Sequence, residues 1–209
     1  VNHDDPRHAE LRKIAQMAFS PKRVMSDVAP WMETTVEAQL DMVGGGTVEF
    51  MQDLAPNLPA LVMTKLIGTP EEDYVLLRRW ANAFMVTSDF TLAERQQCNI
   101  ELWNYYQSAV DQRYADIETG KPVPDDLMSA FIQTESNGSR LTREEVVRFC
   151  LTLVVAGAET TGYLLGNLID VLADDPEMYA TLRTDRSLVR AFIEESLRLR
   201  PAARYHLCL

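Results

Sequence analysis

The sequence predicts a mainly α-helical globular chain, and three observations carry that prediction. Hydrophobic residues make up 46% of the 209 residues and charged residues 24%, a composition typical of soluble globular domains. Helix-start signals recur along the chain, whereas a convincing strand pattern occurs once. Because no repeat, low-complexity segment or long linker divides the sequence, we expect a single domain or part of one.

Helix starts are marked by a capping residue, by a proline at the first helical position, or by both. They are Ser20 with Pro21, Thr69 with Pro70 and Glu72, Thr142 with Glu145, and Asp175 with Pro176. With the apolar periodicity, they predict helices at 7–19, 22–43, 51–67, 70–87, 92–118, 125–135, 142–174, 176–184 and 187–199. The strand prediction covers 46–50, which reads GTVEF after a flexible glycine run.

The predicted helix at 142–174 differs from the others in length and polarity. It is roughly two to three times as long as an ordinary globular helix. It is apolar on nearly all sides in its middle, which predicts a course through the core. Its longest apolar run, 149–158, is too short to cross a bilayer, so we predict no membrane contact.

The charge of the chain narrows the class of partner. A formal net charge of −11 argues against nucleic acid. Basic residues nevertheless gather in the first 23 positions, at Arg7, Arg12, Lys13, Lys22 and Arg23. They form either a docking or anion-binding patch or an ordinary solvated helix face.

The cysteines and the first residues indicate the compartment. Cys98, Cys150 and Cys208 are too widely spaced for a disulfide framework or a zinc site, which fits a reducing environment. The chain opens on a polar, charged stretch rather than a signal peptide. We therefore predict a cytoplasmic protein, and the abrupt ends lead us to expect part of a longer one.

The segment AGAETT, residues 156–161, places polar groups in the middle of the apolar helix. Gly157 would let another molecule approach the backbone closely. Glu159 is costly to bury as a charged group, and Thr160 can return its hydroxyl to the carbonyl of Ala156, which opens a helix locally. A structural explanation is an acid paired with an arginine and a threonine satisfied by its own helix. The three features together favour a functional site.

AGAETT resembles the distal-helix motif of the cytochrome P-450 family, the haem-thiolate monooxygenases. Two further segments resemble family motifs in the same order along the chain. DDPRHAELRKIAQMAFSPKRV, at 4–24, resembles the bacterial C-helix, and FIEESLRLRP, at 192–201, resembles the K-helix motif Glu-x-x-Arg. The resemblance implies that 1–209 is an incomplete single domain: the mainly α central part of this fold, with a long buried I-helix and minor short strands.

The resemblance also implies a cofactor and a reaction. The cofactor is haem b, and one oxygen atom of O2 enters an apolar organic substrate. Electrons from NAD(P)H arrive through a ferredoxin or flavodoxin-type donor. The rival interpretations are a non-catalytic helical module that binds a small molecule and a helical bundle that binds a protein. Neither rival predicts the three motifs in order.

The distal motif assigns roles by resemblance. Glu159 and Thr160 would be catalytic, because a carboxylate can relay protons inward and a hydroxyl can hold a water. Ala156, Gly157 and Thr160 would lie against the haem. The substrate-pocket candidates are Thr152 and Val155. The segments 70–87 and 92–118 resemble the F and G helices that roof the pocket.

The other two motifs supply an anion site and a structural pair. His8 and Arg12, at i and i+4, would bind a haem propionate. Lys13, Lys22 and Arg23 would contribute to the face that receives electrons. Glu195 and Arg198 would form a structural ion pair. The axial cysteine, in a Phe-x-x-Gly-x-x-x-Cys loop, has no counterpart here and is expected downstream. We therefore expect no metal ligand in this stretch and no activity from it alone.

Overall fold

The computed structural model describes residues 7–18, 28–85, 88–136 and 138–203, and most of them are helical. The helices are α1 Arg7–Ala18, α2 Ala29–Val43, α3 Phe50–Asp53, α4 Asn57–Ile67, α5 Tyr74–Phe84, α6 Leu92–Glu118, α7 Leu127–Gln133, α8 Arg143–Asp174, α9 Pro176–Thr184 and α10 Val189–Leu199. Strands β1 Glu135–Ser136 and β2 Ser139–Arg140 pair antiparallel as a short hairpin. The predicted mainly α fold is confirmed.

Helix α8 is the central element of the core. It packs against α4, α5 and α6, and α1 packs against α7 and the hairpin. The predicted capping box begins α8: the Thr142 N–H donates to the Glu145 carboxylate at 2.8 Å, and the Glu145 N–H donates to the Thr142 hydroxyl at 3.2 Å. Reciprocal capping therefore fixes the start of this helix.

The burial of α8 is one-sided. Val147, Cys150, Val154 and Ala158 recur at three- or four-residue spacing and are buried, whereas Thr152 on the other side is exposed. The predicted course through the core is thus confirmed for one face only. The whole helix is long and apolar enough to cross a membrane, although its longest apolar run is too short to do so. The core helix of a soluble protein meets the same criterion, and one face of α8 packs into the core.

The segment between α2 and α4 differs from its prediction. The predicted helix at 51–67 is two helices, because Pro56 has no N–H to donate and disfavours helical geometry at Ala55. The predicted strand at 46–50 is wrong: Glu49 precedes α3, and its carbonyl accepts from the Asp53 N–H at 2.7 Å. The pattern GTVEF finds no neighbouring strand among the described residues, and a strand needs one.

Other helix boundaries also differ from those predicted. The predicted helix at 70–87 begins with a 3₁₀ turn at Glu71–Asp73, and the predicted Thr69–Glu72 box does not form. Asp73 instead accepts a hydrogen bond from the Tyr105 hydroxyl of α6 at 2.6 Å. The predicted helix at 125–135 gives way to β1 at its end. The Asp175 cap is confirmed by its bond from the Met178 N–H, while the start predicted at Ser20 lies outside the described residues.

Candidate active site

Three side chains form an exposed row along the middle of α8. Thr152, Ala156 and Thr160 are four residues apart, so they point the same way, and all are exposed. The Thr160 hydroxyl donates to the Ala156 carbonyl at 2.6 Å, as predicted, and the Thr152 hydroxyl donates to the Arg148 carbonyl at 2.8 Å. Both hydroxyl oxygens keep a lone pair for a ligand or water. We name this row the α8 notch.

Two of the predicted residues face away from the notch. A Cβ on Gly157 would lie 2.5 Å from the Met63 sulfur of α4, so this glycine makes room for a neighbouring helix. We expected Gly157 to open space for a ligand, but Met63 of α4 occupies that space. Val155 is half-buried and packs against the core, so it does not share the exposed direction of Ala156.

Glu159 lies in a small cleft beside the notch. The cleft has a volume of about 120 Å³ and is lined by Met51, Pro56, Arg78, Asn82, Ala158, Glu159, Gly162 and Tyr163. Burial raises the pKa of the Glu159 carboxyl, and the charge of Arg78 partly offsets that rise. No described residue forms a hydrogen bond or a close ion pair with this carboxylate. The cleft is polar and large enough for a few water molecules.

Arg78 is the functional candidate that the sequence did not reveal. It lies on α5, half-buried, and its Nη1 donates to the Asn57 side-chain oxygen at 2.9 Å. The neighbouring Arg79 turns towards α6, where its Nη1 lies 3.4 Å from a carboxylate oxygen of Glu101. The only local signal was a pair of arginines in an otherwise apolar helix. Because Arg78 is distant in sequence from Glu159, only the packing of α5 on α8 brings them together.

The predicted anion-binding pair lies on α1. Leu11 and Ile14 bury one side of this helix, with exposed fractions of 1% and 0%. His8, Arg12 and Lys13 are exposed. His8 and Arg12 are one turn apart, so the structure places both side chains on the same side of α1, where a shared anion can reach them.

The pair Glu195 and Arg198 does form an ion pair. Arg198 donates to both carboxylate oxygens, at 2.9 and 2.5 Å, and this lowers the pKa of Glu195. Both side chains are more than half exposed, at 56% and 66%. An exposed pair of this kind contributes little to stability by itself.

The cysteines of the described residues do not suit metal binding. Cys98 and Cys150 are free and buried, and burial raises the pKa of both thiols. A thiol that stays protonated is a poor metal ligand. No cluster of three or more potential metal ligands occurs within the described ranges, and Cys208 lies outside them.

Comparisons with known proteins agree on one family. The family model described as Cytochrome P-450 matches residues 60–207. The cytochrome P-450 monooxygenase PikC of Streptomyces venezuelae is 34% identical over 202 residues, covering 95% of this chain and 46% of the relative. Cyclomarin C epoxidase CymV of Salinispora arenicola is 33% identical over 208 residues, covering 95% of this chain and 50% of the relative. This chain spans about half the length of these curated relatives.

Solved structures give the same result. The mixed-function P-450 MycG bound to mycinamicin V superposes with a TM-score of 0.85 at 27% identity, covering 94% of this chain and 49% of that one. CYP109E1 of Bacillus megaterium bound to corticosterone gives 0.82 at 30% identity, covering 95% and 53%. The helical arrangement and the family match lead to one conclusion: the chain belongs to the cytochrome P-450 family.

Proposed function

We propose that this chain is the central helical part of a haem-dependent monooxygenase. The enzyme inserts one oxygen atom of O2 into an apolar organic substrate, with electrons from NAD(P)H. The observation that carries this proposal is the α8 notch, an exposed row of small side chains beside the half-buried, unpaired carboxylate of Glu159. Membership of the family, which implies a haem cofactor, supports it.

The residues present fit a haem group. Ala156 and Thr160 have short side chains, so a flat ring system can lie against the notch. His8 and Arg12 supply exposed donors for the carboxylates of such a ring. Thr152 would contact substrate, and the Glu195–Arg198 pair would brace α10. When bound, haem b supplies the redox chemistry of oxygen activation, and the protein tunes and gates it.

Glu159 and Thr160 would share the handling of protons. They are consecutive residues, so their side chains point about 100° apart around the helix. Glu159 takes a proton from water in its cleft, where burial raises the pKa of the carboxyl and the charge of Arg78 opposes that rise. A turn of the Glu159 side chain, or a bridging water, carries the proton to the Thr160 side. Thr160 holds the receiving water through its hydroxyl oxygen.

The proposed partners follow from charge and from the relatives. The exposed Lys13 on α1 suits an acidic ferredoxin or flavodoxin-type donor. The corticosterone and mycinamicin V bound by the related structures support a small organic substrate. We propose a cytoplasmic enzyme that needs neither nucleic acid nor a membrane.

The first experiment separates this function from the alternative, a non-catalytic helical module that binds a small molecule. The natural full-length protein is reduced and exposed to carbon monoxide. A haem-thiolate enzyme gives a strongly red-shifted Soret band, whereas a helical binding module gives none. Absence of the band in correctly folded protein supplied with haem would rule out the monooxygenase.

The second experiment tests the proton role of the notch. Thr160→Ala should leave substrate binding intact and lower the product formed per NAD(P)H by about tenfold, with peroxide released instead. Thr161→Ala removes the neighbouring exposed hydroxyl and serves as the matched control. Equal product yields from the two variants would contradict the role of Thr160.

A further inference from the structure

One arginine at the start of α1 fastens that helix to the start of α8. Arg7 Nη2 donates to both Glu145 carboxylate oxygens, at 2.6 and 2.8 Å, and Arg7 Nε donates to one of them at 3.1 Å. Arg7 Nη1 reaches the Ser139 hydroxyl of β2 at 3.2 Å and the Glu10 carboxylate at 3.1 Å. The guanidinium therefore contacts α1, the hairpin and α8 at once.

The partner of Arg7 is itself held in place. Glu145 is the acidic member of the α8 capping box, so its carboxylate also accepts the Thr142 N–H. The Glu145 side chain is only 14% exposed and that of Arg7 30%. Burial alone would raise the pKa of Glu145, but hydrogen bonds from Arg7 and Thr142 outweigh burial and lower it. Glu145 thus remains charged and fixed by two elements.

The apolar contacts of α1 do not by themselves fix its rotation. Its buried anchors are the apolar side chains Leu11 and Ile14, and apolar contact is non-directional. A bidentate guanidinium–carboxylate pair, by contrast, fixes both distance and orientation. A helix that rotates by roughly 20° about its axis moves its side-chain tips by about 2 Å, enough to lose a hydrogen bond.

We propose that Arg7 is a positioning residue: through Glu145 and Ser139 it sets the rotation of α1 about its axis, and so aims His8 and Arg12 at the anion they bind. The inference rests on the proposed function, in which that anion is a carboxylate of haem. Arg7 immediately precedes His8 and lies five residues before Arg12. A restraint at this end of the helix therefore acts within about a turn and a half of both donors.

The test uses Arg7→Gln and Glu145→Gln in the natural full-length protein. Glutamine at 145 keeps an acceptor for the cap and removes the charge. The control is Arg148→Gln, which breaks the exposed Arg148–Glu144 pair on α8. The main measurement is the rate of haem loss to excess apomyoglobin. We expect loss about tenfold faster in each variant, no faster in the double variant, and within about twofold of wild type in the control.

A second cycle distinguishes positioning from mere bracing. If Arg7 acts by aiming His8 and Arg12, then adding Arg7→Gln to a variant that lacks both donors, His8→Gln with Arg12→Gln, should accelerate haem loss little further. An effect of Arg7→Gln as large in that background as in wild type would overturn the inference and leave Arg7 as a structural brace. Haem loss at the control rate in Arg7→Gln would overturn it too.

Hydrogen exchange of residues 8–18 gives a readout that does not depend on haem. We expect it to be faster in Arg7→Gln than in Arg148→Gln. If the wild-type protein took up no haem, the proposed function would fail, and this exchange would decide the inference alone. Faster exchange confined to α1 would support the restraint, and exchange equal to the control would overturn it.

Discussion

From Arg143 to Ala158, α8 buries six of its residues, whereas from Glu159 to Asp174 it buries only Gly162. The second half lies beside α9 and α10 over an open apolar groove of about 630 Å³. Glu159 and Thr160 stand at the junction. The first half therefore supplies a packed support directly before Glu159 and Thr160, whereas the second half is largely uncovered in this chain.

The largest expected difference between the halves is in core stability. Phe149 is 8% exposed and stacks on Phe131, with ring centroids 5.3 Å apart. Phe149→Ala should lower the free energy of unfolding by about 3–5 kcal/mol, measured by urea denaturation. Ile169, which is 46% exposed, is the matched position in the second half, and Ile169→Ala should cost under about 1 kcal/mol. Equal losses would mean that further protein covers the second half.

A second prediction concerns two glycines that each face the sulfur of a different methionine at the same distance. A Cβ on Gly157 would lie 2.5 Å from the Met63 sulfur, and one on Gly166 would lie 2.5 Å from the Met51 sulfur. Met63 is 6% exposed and cannot move aside, whereas Met51 is 39% exposed and can. Gly157→Ala should destabilise by about 1–3 kcal/mol. Gly166→Ala should be neutral, or stabilising by up to about 1 kcal/mol, because alanine favours helix.

Thermal unfolding of the two alanine variants checks this pair. A truncated partner provides the control: Met63→Ala should reduce the cost of Gly157→Ala, since the clash is then removed. Equal changes in stability for Gly157→Ala and Gly166→Ala would show that both halves of α8 accommodate an added methyl group equally well.

The sequence predicted features that depend on neighbours along the chain. Thr142 and Glu145 are three residues apart, and their capping box formed as predicted. Thr160 returned its hydroxyl to Ala156 for the same reason. The sequence could also have predicted that Gly157 faces the core, because it lies three residues after the buried Val154.

What the sequence could not predict depends on packing between distant segments. Arg7 meets Glu145 across 138 residues, and no local pattern singles out that pair. Arg78 approaches Glu159 only because α5 crosses α8. The strand predicted at 46–50 failed for the same reason, since a strand requires a partner that its own sequence does not specify.

The smallest expected effect is an opposite pH dependence of stability for two of the glutamates of α8, Glu145 and Glu159. Burial raises the pKa of Glu159, so the folded protein binds that proton more tightly than the unfolded chain. Between the ordinary carboxyl pKa, about 4.3, and the raised value, stability therefore falls as pH rises. Glu159→Gln should be more stable than wild type at neutral pH and equal to it at low pH.

Glu145 should behave in the opposite way, because hydrogen bonds from Arg7 and Thr142 outweigh burial and lower its pKa. Its stabilising contribution is present above the ordinary carboxyl pKa and is lost as pH falls through the lowered value. Glu145→Gln should therefore be less stable than wild type at neutral pH, with the difference vanishing in acid. Urea midpoints across a pH series compare the two variants directly. If Glu159→Gln were also less stable than wild type at neutral pH, the Glu159 carboxylate would have a partner in the full-length protein. The middle of α8 would then be covered there.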